Sequence, residues 1–387
     1  MNQHLVATAV LSQFVVSAST SRTDGFGAAD HVILMGLDGV DVRCLHQALD
    51  AGRAPNLQYL RDHGVFTDKA RNNRPAMSLP NWATIFYGAG VMFHGVTSNE
   101  WAYCTTTDVN VIPQFLGECS VYPDVFTVLK QQNPDFTTAM YYTWPNLDAI
   151  LPPDVVSIDQ RYFVDGAGCQ STVRASQDMT SKALASISSL PSFMFLYYDE
   201  VDECAHETSC FSDEGQAAIA SMDANIGLVL EAVRATGKAN STVFMLVTDH
   251  GRNVDGNDHG GTAKFNFETQ WLVYSPGLFD GGRQLKSAIA TEDTAATIAH
   301  LLGVETPIEW RGRMVHEVML KRNESLYSAA RSSAWTTCSK SQCPPTSLLP
   351  SWAWPIALIL IASVLVVAGT IFAFHWLCSR RRDYVPV

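Results

Sequence analysis

The sequence predicts an α/β fold, a three-layer sandwich around a mostly parallel central sheet. Three observations carry that expectation. Short, nearly continuous apolar runs recur along the chain, as strands buried on both faces of a parallel sheet require. Stretches with helical periodicity alternate with them, the pattern of an α/β protein. Several of the runs end at or near an aspartate, which places polar chemistry beyond the carboxyl ends of the strands, where open α/β sheets bind their ligands.

Taken in order, residues 31–37 form the first run, closed by Asp38-Gly39. Residues 54–63 read as a surface helix opened by Pro55. Then comes a turn rich in helix breakers, Arg74-Pro75-Ala76-Met77-Ser78-Leu79-Pro80-Asn81, which leads into an apolar segment, with His94-Gly95 shortly after. Strand-like runs follow at residues 137–143, 193–198 and 243–247. Between the last two, residues 212–234 form a helix: Ser212 caps it, Asp213 and Glu214 occupy its first turn, and Ile219, Met222, Ile226, Val229, Leu230 and Val233 make one apolar face. Gly237 stops it. A run at 270–274 and a helix at 292–302, ended by Gly303, complete the pattern. Residues 103–136 and 151–172 show no clear periodicity and read as irregular inserts; Tyr122, Tyr162 and Phe163 in them are candidates to stack on a base or line a lipid groove, or else simply to pack.

The chain has 387 residues, enough to bury a large core. Asp and Glu number 38 against 26 Lys and Arg, a net charge of −12. That balance argues against a protein that grips nucleic-acid phosphates, because such a grip needs clustered cations. An anionic substrate would have to be held by local positive charge, for which metal ions are the obvious source.

Both ends look like targeting segments. Residues 1–18 read as a secretory signal peptide, apolar over 5–16 and with small residues at Ser17-Ala18 before Ser19. Residues 354–377 carry no charge beyond that possible on His375, are long enough to cross a bilayer, and are followed by Arg380-Arg381-Arg382, which the positive-inside rule places in the cytoplasm. The expected organisation is a folded domain over 30–325, a Ser/Thr/Pro-bearing stalk over 326–352, a membrane helix over 353–378 and a cytoplasmic tail over 379–387. This describes a single-pass type I membrane protein of the cell surface or a secretory-pathway membrane, its domain extracellular or lumenal. Eight cysteines precede the membrane run (Cys44, Cys104, Cys119, Cys169, Cys204, Cys210, Cys338 and Cys343), so disulfides are expected, with the close neighbours Cys204–Cys210 and Cys338–Cys343 as the simplest pairings. Cys378 lies at the inner membrane face, and Asn240-Ser241-Thr242 and Asn323-Glu324-Ser325 are glycosylation sequons.

The chemistry centres on Thr248-Asp249-His250-Gly251 and Asp258-His259-Gly260-Gly261. Imidazoles and carboxylates together suit a borderline divalent metal such as zinc, although an Asp-His-Gly sequence also makes an ordinary turn. Asp38, Asp202 and Asp249 all fall at or just past strand ends, so one edge of the sheet should collect them. His206, four residues after Asp202, would share its face on a helical turn. Ser78 either presents its hydroxyl at a helix amino terminus or only caps that helix. Three aspartates, three histidines (His206, His250 and His259) and Ser78 suit two metal ions in one site.

In this order the motifs resemble the alkaline phosphatase superfamily, and within it the type I phosphodiesterase/nucleotide pyrophosphatase family. The resemblance covers residues 31–315 and rests on Asp38-Gly39, Ser78-Leu79-Pro80-Asn81, His94-Gly95, Asp202 with His206, Asp249-His250-Gly251, His259, and a closing helix before Gly312-Arg313. It implies two Zn2+ ions, one held by Asp38, Asp249, His250 and the Ser78 oxygen, the other by Asp202, His206 and His259. It implies a phosphodiester or pyrophosphate hydrolase acting on small-molecule or lipid substrates through a phosphoserine on Ser78, with Asn81 donating to a non-bridging phosphoryl oxygen. Met77-Ser78 replaces the Lys-Thr usual in that family. His259-Gly260-Gly261, with Glu268-Thr269 after it, is similar to lumenal ethanolamine-phosphate transferases, which leaves a phosphoethanolamine-type transferase open, as does an inactive surface-binding protein. Sulfatases need an arginine where Trp82 stands.

Overall fold

In the computed structural model, which describes residues 25–103 and 122–320, the first apolar run is β1 (His31–Leu37). Asp41 caps α1 (Val42–Asp50) by accepting from the Arg43 backbone N–H, and Pro55 opens α2 (Pro55–His63). There follow β2 (Val65–Arg71), α3 (Ser78–Tyr87) and the single turn α4 (Val91–His94). Asp124 caps α5 (Val125–Gln132), which precedes β3 (Thr138–Tyr142), α6 (Leu147–Ile150) and β4 (Gln160–Phe163). Then come α7 (Cys169–Ile187), β5 (Phe193–Tyr198), α8 (Glu200–Glu207) and α9 (Asp213–Ala235). The last elements are β6 (Thr242–Val247), β7 (Glu268–Tyr274), the short β8 (Arg283–Gln284) and α10 (Asp293–Leu301).

The eight strands make one sheet in the order β4-β3-β5-β1-β6-β7-β2-β8. β1 pairs parallel with both β5 and β6, and β3 pairs parallel with β4 and β5. β7 runs antiparallel to both of its neighbours. The sequence pattern marked β7 as a strand but not its direction, because a buried apolar run looks the same either way. Side chains alternate across the sheet as the pleat demands. Val32 and Leu34 join a core with α3, α5 and α10, while Ile33, Met35 and Leu37 join a second core with α1, α2, α7, α8 and α9. Helices on both faces make the three expected layers.

The long helix α9 forms as its pattern predicts. Ser212 Oγ accepts the Gly215 N–H at 3.0 Å, and Ile219, Met222, Ile226, Val229, Leu230 and Val233 are buried. The insert over 151–172 is less irregular than expected, since it contains edge strand β4 and the start of α7. Tyr122 is buried against Tyr87 with its hydroxyl bonded to Glu309 O, so it packs. Tyr162 bonds Asp178 at 2.8 Å and Phe163 lies beside Tyr142, both on β4.

The disulfide expectation is corrected. Cys204 pairs with Cys169, and Cys210 pairs with Cys44. Cys204 lies on α8, which packs on α7, whereas Cys210 lies beyond the end of that helix, on the turn that leads past α1 into α9. Nearness in sequence does not survive the change of direction between them. The signal segment, stalk, membrane run and tail, with Cys104, Cys119, Cys338, Cys343, Cys378 and the Asn323 sequon, lie outside the described residues. Among the described residues no helix is long and apolar enough to cross a membrane.

Candidate metal centre

The parallel strands deliver their carboxyl ends to one edge, and the site is built there. Asp38 follows β1, Asp199 and Asp202 follow β5, and Asp249 and His250 follow β6. β2 ends on the same side and leads through residues 72–77 to Ser78, the first residue of α3. Gly39 makes this crowding possible. Its φ is +58°, and a Cβ there would stand 2.1 Å from Asp202 Oδ1 and 2.5 Å from Arg252 Nη2.

Three groups of potential ligands result among the described residues: two contain histidine, and the third, Asp38, Asp199 and Asp202, shares one aspartate with each of them. Asp38, Asp249 and His250 bring their ligand atoms within 4.8 Å of one another, and so do Asp202, His206 and His259. Within the first, His250 Nε2 is 3.5 Å from Asp38 Oδ1 and 3.3 Å from Asp249 Oδ2. Within the second, His206 Nε2 is 3.1 Å from Asp202 Oδ2, the i,i+4 relation on α8. The His250 and His259 rings stack at 3.8 Å between centroids and join the two groups.

Ser78 lies beside the first group. Its Oγ is 3.1 Å from His250 Nε2. The capping position of α3 is occupied by Met77, in extended backbone, with no side-chain cap bond, so the serine hydroxyl is not engaged in holding the helix end. The outer nitrogens of the histidines are anchored. His250 Nδ1 donates to Gly251 O at 3.0 Å and His259 Nδ1 to Ala76 O at 3.0 Å, which puts a proton on each Nδ1 and leaves each Nε2 lone pair to bind a cation or accept a proton, that of His250 accepting from the Ser78 hydroxyl.

The electrostatics are strained in a particular way. Asp38, Asp199, Asp202 and Asp249 are all buried together. Burial, and next the charge of Asp202, push the Asp38 carboxyl up to about 7. Burial and the charge of Asp38 raise Asp249 and Asp199 well above the carboxylate range. Burial would raise Asp202 as well, but the Arg252 guanidinium and the His206 hydrogen bond outweigh it and hold Asp202 well below that range. Burial lowers His250 and His259, whereas the bond to Asp202 raises His206. Asp38 Oδ2 accepts from Trp82 Nε1 at 2.7 Å and from the Tyr197 hydroxyl at 2.5 Å, yet its Oδ1 has no hydrogen-bond partner. Asp249 Oδ1 accepts the Gly39 N–H at 3.1 Å, and its Oδ2 likewise has none. Buried oxygens left in this state are costly unless a cation completes them.

Asn81 does not have the role expected of it. Its Nδ2 donates to Pro75 O and to Met77 O, both at 2.9 Å, its Oδ1 accepts the Asn73 N–H at 2.8 Å, and it is fully buried. With both amide protons committed, it braces the turn before Ser78 and has none for a phosphoryl oxygen. Asn99 is the amide that sequence reasoning missed. Its Oδ1 accepts the Leu79 N–H at 2.9 Å, which sets the side chain beside the Ser78-Leu79 peptide, and its Nδ2 has no partner among the described residues. The sequence signal was the turn at His94-Gly95, where Gly95 at φ +76° sends the chain back toward the start of α3. Asp199 and Arg252 were also missed. Both adjoin motif residues but carry no spacing of their own.

Residues 32–259 match the family model described as type I phosphodiesterase/nucleotide pyrophosphatase. Ectonucleotide pyrophosphatase/phosphodiesterase family member 3 of Bos taurus is 25% identical over 229 residues, 57% of this chain and 24% of that protein. The chain thus spans about a quarter of that relative's length. Murine ectonucleotide pyrophosphatase/phosphodiesterase 5, solved as an inactive form in complex with AMP, superposes with a TM-score of 0.58 at 14% identity, covering 75% of this chain and 100% of that one. A 2-O GAG sulfatase superposes with a TM-score of 0.58 at 13% identity, over 77% of this chain and 76% of its own. At these identities the structural likeness shows a common fold.

Proposed function

The chain belongs to the type I phosphodiesterase/nucleotide pyrophosphatase family, and from that premise we propose that it is a zinc-dependent hydrolase of phosphodiester or pyrophosphate bonds. The observation that carries this reading is the placement of Ser78 Oγ 3.1 Å from His250 Nε2, at the edge of two adjoining groups of metal-ligating side chains. The ligand types fit zinc, and the unpartnered oxygens of Asp38 and Asp249 are what a cation would complete. Asp38, Asp249 and His250, with the Ser78 oxygen, would hold one ion; Asp202, His206 and His259 would hold the other. Two such ions supply Lewis acidity, which lowers the pKa of a bound hydroxyl and offsets charge on phosphoryl oxygens.

The chain's own residues account for the remaining chemistry. The Ser78 oxygen gives up its proton and bonds to phosphorus as the bond to the leaving oxygen breaks on the opposite side, the leaving oxygen taking a proton from solvent; water then splits the phosphoserine, releasing phosphate product and returning a proton to Ser78. The Asn81 bonds to Pro75 and Met77 fix the turn from which Ser78 projects. Asn99 Nδ2 supplies a neutral donor beside Ser78, a contact that suits the single negative charge of a diester. Trp82 and Tyr197 orient Asp38. The AMP complex of the murine relative makes nucleotides the first substrates to test, with lipid diesters next. We infer from the sequence that the domain lies outside the cytosol with the apolar run at 354–377 as its anchor, a reading that the two buried disulfides among the described residues support, since they suit an oxidising compartment.

The test uses the full chain. Release of nitrophenol from bis-nitrophenyl phosphate is expected, and both chelation and Ser78→Ala should abolish it while the circular dichroism of the variant matches wild type. Activity that survives Ser78→Ala overturns the mechanism, and a purified chain without zinc that zinc does not activate overturns the metal.

A further inference from the structure

Arg252 is fully buried inside this cluster, and none of the roles above uses it. Its Nε donates to Gly39 O at 3.1 Å and its Nη1 to Asn257 O at 2.6 Å. Its Nη2 donates to Asp202 O at 3.0 Å and, in a short ion pair, to Asp202 Oδ1. Its own backbone N–H donates to Asp41 Oδ2 at 3.0 Å. The guanidinium is therefore locked from three sides, by the loop after β1, by α8 and by the 253–258 loop, and among the described residues the ligand carboxylate it pairs with directly is Asp202.

We propose that Arg252 makes the two cation positions of this site unequal: it occupies one oxygen of Asp202 and sets a permanent positive charge beside the Asp202/His206/His259 group, so that this group takes a divalent ion more weakly than the Asp38/Asp249/His250 group. The inference rests on the reading that the two groups hold metal. Its basis is a count of charge and free ligand atoms. The stronger group offers two carboxylates, each with a buried oxygen that lacks a partner, and a neutral imidazole. The weaker group offers one carboxylate already paired on both oxygens, Oδ1 with Arg252 and Oδ2 with His206, and two imidazoles. Asp199, within 4.8 Å of ligand atoms of both Asp38 and Asp202, adds its charge to both groups and favours neither, and Asp258, whose Oδ1 is 3.8 Å from His206 Nδ1, is largely solvated. Affinity for a divalent cation rises with ligand charge, and a fixed cation nearby opposes it. Arg252 is thus a positioning residue: it orients Asp202 and sets how readily the second ion exchanges.

The experiment strips the full chain with chelator and titrates it with zinc chloride against a chromophoric chelator, with bound zinc counted by elemental analysis. Wild type is expected to take two ions in steps whose dissociation constants differ by at least about tenfold. His259→Ala should delete the weaker step. Arg252→Met should tighten that step until the two differ by no more than about threefold, whereas Arg252→Lys, which keeps the charge, should preserve most of the gap. A merely structural arginine would weaken both steps in Met and Lys alike, and that result overturns the proposal. Equal steps in wild type, or loss of the stronger step in His259→Ala, also overturn it, and both are read without any Arg252 variant should Arg252→Met fail to fold. Wild type that binds no zinc at all instead removes the metal reading itself.

Discussion

Ser78 Oγ and His250 Nε2 stand 3.1 Å apart although 172 residues separate them in the chain. The contact exists because β6 lies beside β1 in the centre of the sheet and α3 starts at the same edge. A nucleophile at a helix start and an imidazole after a buried strand are thereby held by backbone elements rather than by loops alone. The expected consequences are specific.

Asn99 and Asn81 should separate cleanly. Asn99→Asp keeps the oxygen that accepts from Leu79 but loses the amide donor, so kcat/KM for diesters should fall by about 10²-fold with little change in stability. Asn81→Ala removes three buried hydrogen bonds and should lower unfolding free energy by about 2–4 kcal/mol. Denaturation curves and steady-state kinetics on both variants check the pair.

Gly39→Ala should damage fold and site together. The added carbon meets Asp202 and Arg252 at a φ of +58°, so a destabilisation of about 2–4 kcal/mol is expected. Chemical denaturation measures it, and zinc content should fall in parallel because Asp202 is displaced.

Asp249→Asn should have opposite effects with and without metal. In the chelated chain Asp249 must take up a proton to be buried among the other carboxylates, a cost the amide does not have, so the substitution should raise the melting temperature at neutral pH, by about 2–4 °C for each kcal/mol relieved. With zinc added, wild type should gain stability and the variant should not. Scanning calorimetry in chelator and in zinc distinguishes the two regimes.

Glu200, which opens α8 two residues before Asp202 and is itself in neither histidine-containing ligand group, provides a pH test. It is fully buried, its Oε2 accepts from Ser176 Oγ at 2.6 Å, and its Oε1 has no hydrogen-bond partner. Burial pushes its carboxyl from an ordinary 4.5 up to about 7. The folded state therefore holds the proton more tightly than the unfolded state, so the contribution is fully present below about 4.5 and is lost as pH rises through about 7. Glu200→Gln should exceed wild type in stability by about 1–3 kcal/mol at pH 8, with the gap closing toward pH 4.5. Urea midpoints across that range measure the slope.

The sequence by itself determined the layer architecture, most strands and helices, and the edge to which Asp38, Asp202, Asp249 and His250 are carried. Those features follow from periodicity and from the rule that parallel strands end together, both written locally. It also brought His206 to Asp202, because four residues on a helix share a face. Tertiary structure alone decided the rest. Whether β7 ran parallel or antiparallel, which cysteines met, and which asparagine stood free beside Ser78 all depend on where the chain returns after a loop, and loop paths leave no periodic trace. Asn81 and Asn99 are the same residue type at the same helix start, and only the carbonyls of Pro75 and Met77 decide which amide is already taken. Arg252 likewise looked like one more residue after an Asp-His-Gly turn until folding buried it against Asp202, where a fixed positive charge in a low-dielectric site counts most.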